Sequence, residues 1–228
     1  MWKKVFLLLG FCLAVFSLTL LAWPYIPSKK QVDVQVLHPG NMSVKSTDAS
    51  PPAILEGRQV KMEWSESMRI GEEGIVRLDF QEIEVDSPST SETTGFKDAY
   101  AGHNIMLEAM FEVAGLQISP ADATRISLLA GQPVSFTWIV NPSRAGLFPG
   151  TIWLFLRFLP LDGSAPIQVP VFVKDIDLHT TSMLGLSEQS ARLLGGLGVL
   201  MSLLFLFNAQ IMGALEEMKG KKHQAERA

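Results

Sequence analysis

Cysteine is nearly missing from this 228-residue chain, with Cys12 the single example. An intramolecular disulfide is therefore excluded, and so is a cysteine-based metal centre, which leaves the fold to stand on its apolar core. The four histidines, His38, His103, His179 and His223, are far apart. None has an acidic or second histidine neighbour at a metal-ligand spacing, so no metal site is expected. A Gly-x-Ser-x-Gly elbow, a phosphate loop and a dinucleotide fingerprint are all lacking, so neither a catalytic residue nor a cofactor is expected. Positive charge is short in the middle of the chain, where residues 24–183 carry 12 Lys and Arg against 19 Asp and Glu, a net charge of −7. That balance argues against nucleic acid or an anionic lipid surface as the partner of this segment.

What the chain has in quantity is apolar residues, 47% of the total, massed at its two ends. A run from Val5 to Trp23 and another from Leu193 to Met212 each hold about the 20 residues a helix needs to cross a hydrocarbon layer. The expected organisation is an N-terminal anchor at 1–24, a β domain at 25–182, a second transmembrane helix at 183–214 and a tail at 215–228. The first run follows Lys3 and Lys4 like an export signal, but it exceeds the 7–15 residues usual for a cleaved one. Near its end the small Ala22 has Leu20 two positions earlier, where a signal peptidase needs a small side chain, so retention is expected. Phe11 before Cys12 likewise argues against lipidation and for a cysteine packed in a membrane helix.

Orientation comes from the second run. Lys219, Lys221, Lys222 and Arg227 follow it, whereas the nearest preceding positives are Lys174 and Arg192. The excess of positive charge puts the tail in the cytoplasm, and two crossings put the N-terminus there too, with the β domain outside the plasma membrane. Membrane lipids are then one partner. The second helix also carries Ser187, Ala191, Gly195, Gly198, Ser202, Ala209 and Gly213 at steps of three, four and seven, a small-residue face on which another helix can lie closely. Its occupant is expected to be the first helix, a second copy, or another membrane protein.

Between the anchors, apolar residues alternate in twos, the mark of strands with one buried face. Val32, Val34 and Val36 alternate with Gln31, Asp33 and Gln35. The sets Val60/Met62/Trp64, Val76/Leu78/Phe80, Ile105/Leu107/Ala109/Phe111/Val113 and Val134/Phe136/Trp138/Val140 behave alike, with Gly- and Pro-rich turns between them. The phase slips at Gln81–Glu82 before Ile83 and Val85, which predicts a bulge or a strand end. An antiparallel immunoglobulin-like β-sandwich of seven to nine strands follows from this pattern. The polar stretch 86–102 reads as a long mobile loop.

One strand breaks the rule. Along Thr151-Ile152-Trp153-Leu154-Phe155-Leu156-Arg157-Phe158-Leu159 both faces are apolar. Ile152, Leu154, Leu156 and Phe158 can fill the core, and Trp153, Phe155 and Leu159 on the other face need a cover from the chain's own loop, a partner protein or the membrane surface. Paired acids at strand spacing, Glu82/Glu84 and Asp175/Asp177, would suit a carboxylate hydrolase but are also ordinary decoration of a wet strand face.

Residues 134–154, VSFTWIVNPSRAGLFPGTIWL, carry a Phe-x-Trp strand, a Pro and Gly turn, and an apolar strand with a second Trp. This pattern resembles uncharacterised bacterial membrane-anchored envelope proteins, and the resemblance runs on through Met183-Leu184-Gly185-Leu186-Ser187 into the last helix. It implies an immunoglobulin-like sandwich before a C-terminal membrane helix, with a β-hairpin around Pro142–Gly146, and implies no activity. Taken together, the expected function is a non-enzymatic envelope protein whose external sandwich binds or scaffolds a membrane or envelope protein, or a second copy of itself. The alternatives are a ligand-sensing receptor-like module and the membrane-bound hydrolase.

Overall fold

The computed structural model describes residues 2–26, 28–44, 51–83 and 96–225, with the backbone alone for 2–4, 6, 188 and 209–225. The chain divides into two compact units, one made of residues 28–181 and the other of 1–27 with 182–228.

The first unit is a β-sandwich. Its strands are β1 (Lys30–Leu37), β2 (Pro52–Ala53), β3 (Arg58–Ser65), β4 (Ser67–Arg69), β5 (Gly74–Glu82), β6 (Lys97–Asp98), β7 (His103–Val113), β8 (Gln117–Ser119), β9 (Thr124–Leu128), β10 (Val134–Asn141), β11 (Gly146–Pro160) and β12 (Ile167–Thr181). One five-stranded sheet runs β1-β3-β5-β10-β8 and the other β4-β12-β11-β7-β9, while β2 and β6 form a separate small pair. All the long pairings are antiparallel; the short β4–β12 and β2–β6 pairs are parallel. The immunoglobulin-like sandwich read from the sequence is the architecture found, with more strands than the seven to nine expected because several have only two or three residues.

Alternation places the core. Val134, Phe136, Trp138 and Val140 of β10 are buried, as are Val60, Met62 and Trp64 of β3 and Ile152, Leu154, Leu156 and Phe158 of β11. Trp138 lies parallel to Phe136 at 6.2 Å and edge-on to Phe111 of the opposite sheet at 5.8 Å, so it stitches the two layers together. Truncating a core aromatic of this kind costs about 3–5 kcal/mol.

Three expectations are corrected. The β10–β11 segment is not a hairpin. β10 already has β5 and β8 on its two edges and β11 has β12 and β7, so neither offers a free edge to the other, and the Pro142–Gly146 connection crosses between sheets. Gly150 relieves crowding at the start of the apolar run of β11: a Cβ there would stand 2.8 Å from the Phe111 ring and 3.0 Å from the Glu112 carbonyl oxygen. In β1 the valines face outward, with Val32, Val34 and Val36 about half exposed, at 55%, 52% and 48%. The register pairs Gln35 with buried Val60 and Asp33 with buried Met62, which puts the polar residues on the inner face. Finally, the second half of the expected loop is built into the fold. Lys97–Asp98 pairs with β2, and Tyr100 packs against the core, while residues 84–95 lie outside the described residues.

The second unit is a pair of helices, α1 (Trp2–Ala22) and α2 (Glu188–Ala225). Leu7–Tyr25 and Gln189–Asn208 are long and apolar enough to cross a membrane. Ser187 caps α2, its Oγ accepting the Ser190 N–H at 3.3 Å, which answers one of the unpaired donors of the first turn. The helix continues through residues 215–225, which the sequence suggested as a tail. Cys12 is exposed on α1 rather than packed.

Candidate interaction surfaces

The outer face of the second sheet is laid out by strand register. Trp153 of β11 stands between Met110 of β7 and Val173 of β12; Phe155 stands between Glu108 and Pro170, and Arg157 between Met106 and Gln168. Both faces of β11 are apolar because its inner face closes the sandwich while its outer face forms this row. Trp153, Phe155 and Leu159 are each half-buried. The Trp153 and Phe155 rings are parallel within 2°, their centroids 6.2 Å apart. The Trp153 indole N–H is buried without a hydrogen-bond partner. An orphaned donor of this kind costs about 1–3 kcal/mol, and water or a partner's acceptor could recover part of it.

Beside the aromatic pair lies an ion cluster that the sequence reading missed. Glu108 accepts hydrogen bonds from Arg125 Nε at 2.8 Å and Nη2 at 3.3 Å, and from Arg157 Nη1 at 3.1 Å. The three side chains come from β7, β9 and β11 and meet because Glu108 is opposite both Arg125 and Phe155. The Arg125 guanidinium, helped by Arg157 and opposed by burial, holds the Glu108 carboxyl below the usual carboxylate range. Trp, Phe and Arg, which meet on this face, are residue types enriched in protein interfaces.

Of the acids that would suit a hydrolase, Asp175 and Asp177 line one cleft together with Glu112 and Thr151. Asp175 and Asp177 project from β12 in the second sheet, where Asp175 accepts from Thr151 Oγ1 at 2.7 Å. Glu82 closes β5 in the first sheet, and Glu84 lies outside the described residues. His103 has its Nδ1 3.2 Å from the Ala99 carbonyl and its ring edge-on to Phe158. No group of three or more His, Cys, Asp or Glu among the described residues is placed to hold a metal ion.

A second polar cluster, also missed, is internal. Arg58 is fully buried on the inner face of β3. Its guanidinium donates to the Glu56 carboxylate, to the Gln132 carbonyl at 2.7 Å and to the Leu129 carbonyl at 3.2 Å, and lies 5.3 Å from the centre of the Phe80 ring. Glu56 also accepts from the Tyr100 hydroxyl and the Gly131 N–H, each at 2.9 Å. Burial, reinforced by Glu56, pushes the Tyr100 hydroxyl well above its ordinary pKa. This cluster fastens β3, the β9–β10 turn and the Tyr100 segment together. Its sequence signal was parity, since Arg58 lies two residues before the inward Val60.

On α2, the small-residue face lies against α1. Ala191 and Ser202 are buried. A Cβ on Gly195 would meet Leu21 Cγ at 2.8 Å and the Ser17 carbonyl oxygen at 3.0 Å, and one on Gly198 would strike Ser17 Oγ. Small side chains thus let the two backbones approach. The side chain of Ala209 lies outside the described residues. Arg192 stacks over Tyr25 at 5.4 Å near the start of α2.

The chain matches no protein-family model and no curated protein sequence. Among solved structures it is similar to the complex of zinc 2-glycoprotein with prolactin inducible protein from human seminal plasma, with a TM-score of 0.34 at 16% identity over 54% of this chain and 93% of that one. It is also similar to the CARDB domain of a Pyrococcus furiosus protein, with a TM-score of 0.29 at 7% identity over 68% of this chain and 89% of that one. AggA, the major subunit of aggregative adherence fimbriae type I of Escherichia coli, gives 0.30 at 10% identity over 68% and 98%. At such scores these likenesses carry no argument about what the chain does.

Proposed function

We propose that the protein is a non-enzymatic, two-pass envelope protein whose sandwich lies outside the plasma membrane and binds or scaffolds a partner protein. The observation that carries this reading is the half-buried Trp153–Phe155 row on the outer face of a sheet, next to the Glu108 cluster. Large rigid aromatics there give a partner contact area at little cost in conformational freedom. The packed α1–α2 pair supports two crossings, and the positive residues Lys219, Lys221, Lys222 and Arg227 support the orientation.

Crosslinking the full-length protein in intact membranes, followed by identification of what co-purifies, tests the reading. A co-purifying protein that is lost from a Trp153→Ser, Phe155→Ser variant of unchanged melting temperature is the expected result. Recovery of the wild type alone, as a monomer, overturns it. For the topology, a reporter active only in the cytoplasm and fused after Ala228 should be active; silence reverses the orientation.

A further inference from the structure

The edges of the two sheets differ in how they are closed. β8 and β4 have only three residues each, and β9 has five and carries Arg125. Along β12 the edge not bonded to β11 pairs with β4 only at 179–181, and it contains Pro170, a register break opposite Leu154–Phe155, and Lys174. These are the devices by which sheets avoid unwanted pairing. β1 is different. All eight of its residues pair with β3 in unbroken register, it contains no proline or bulge, and among the described residues no strand pairs with its other edge. Its outward face is a row of three half-exposed valines.

β1 carries two charges, Lys30 at its first position and the inward-pointing Asp33 near its middle, and the central one is neutralised. Lys174 of β12 reaches across the seam of the sandwich and pairs with Asp33 Oδ2 at 2.9 Å. The sequence of β1 is also self-complementary. In an antiparallel pairing with a two-fold axis at Val34, Val34 faces its own copy, Val32 faces Val36, and Asp33 faces Gln35. No like charges are opposed, whereas shifting the axis to Asp33 would set the two carboxylates against each other.

We propose that a second copy of this chain docks here, β1 against β1 about a two-fold axis through Val34, making one ten-stranded sheet from the two valine-bearing sheets. Six valines then form an uninterrupted cross-strand row on the outer face, and the unpaired backbone groups of both edges are satisfied. An isologous contact of this kind closes on itself as a dimer and does not grow into a filament. The proposal goes beyond the reading above, adding a self-contact on the sheet opposite the one that bears Trp153 and Phe155.

The register gives the test. In full-length protein in its native membrane, with Cys12→Ser to remove the native thiol, Val34→Cys should give a disulfide-linked dimer on mild oxidation, because directly opposed Cβ atoms are about 4.5–5.5 Å apart. Val32→Cys alone should remain monomeric, and differently tagged Val32→Cys and Val36→Cys copies should link to each other. Lys61→Cys, on β3, should remain monomeric. Equal dimer from Val34→Cys, Val32→Cys and Lys61→Cys means random collision and overturns the proposal, as does a Val34→Cys protein that stays monomeric or links to a different protein. If Val34→Cys stays monomeric while another protein still co-purifies through the Trp153 face, the self-pairing falls and the scaffold reading stands.

Discussion

Replacing Arg58 by Met keeps most of the side chain's volume and removes only its charge and donors. The structure fixes what is left behind. The Glu56 carboxylate, whose side chain is 17% exposed, loses its cation, and the carbonyls of Leu129 and Gln132 lose their donor inside the sandwich. Breaking a buried pair on one side costs about 3–5 kcal/mol, because an uncompensated charge remains. For a domain of about 150 residues each kcal/mol moves the melting temperature by about 2–4 °C, so Arg58→Met should melt about 6–20 °C below the wild type. The assay is near-ultraviolet circular dichroism of the full-length protein in detergent at a fixed scan rate. Adding Glu56→Gln should recover part of the loss, since the neutral amide leaves no unpaired charge and the two sites are coupled. An Arg58→Met protein melting within about 2 °C of the wild type would refute the reasoning, because the cluster would then not be sealed from water.

Further outcomes follow from other contacts. Gly150→Ala drives a methyl into Phe111 and the Glu112 carbonyl, and overpacking of this kind should cost about 1–3 kcal/mol in the same melting assay. Glu108 has a folded-state pKa below its unfolded value, so its contribution is present above the unfolded value near 4.3 and is lost as pH falls through the folded one. Glu108→Gln should therefore flatten the loss of melting temperature as pH falls below about 4.3, and an unchanged slope counts against the cluster. In a Cys12→Ser background, Gly10→Cys with Phe205→Cys, whose Cβ atoms would stand 3.5 Å apart, should close a disulfide within one chain, read as a mobility change on reduction; failure to close contradicts the α1–α2 packing.

The strands were legible from alternation because β3 and β10 bury one face completely and β5 and β7 do so except at their ends. Alternation gives a period, however, and leaves open which face turns inward. In β1 the valines lost that choice because the partner strand sets it: Met62 and Val60 opposite Asp33 and Gln35 are core residues, so the valines go out. The supposed hairpin at Pro142–Gly146 failed for a related reason. Nearness in sequence favours pairing, but β10 and β11 each find both edges filled by strands from far along the chain. β12 escaped notice because an extra residue at Val171 shifts its phase, burying Val171 and Phe172 in succession. The spacing of Gly195, Gly198 and Ser202 marked a helix-contact face, while the identity of its occupant depended on α1, more than 170 residues earlier. Of the candidate surface, Trp153, Phe155 and Leu159 could be read from a doubly apolar strand. The charges beside them could not, because Glu108, Arg125 and Arg157 meet only through the pairing of three strands.

The crossing between β10 and β11 also sets an order of events for a chain made from its N-terminus. β5 waits for its second neighbour until β10 arrives, more than 50 residues later, and Arg58 waits as long for the carbonyls of Leu129 and Gln132. Until then a charged guanidinium occupies what will be core, and the growing sheet ends in a bare, apolar β5 edge. Local hairpins cannot close this domain one after another; its contacts are long-range, and such topologies fold slowly. A chain emerging across a membrane would spend that interval with an open sheet edge, the state most exposed to mispairing and aggregation.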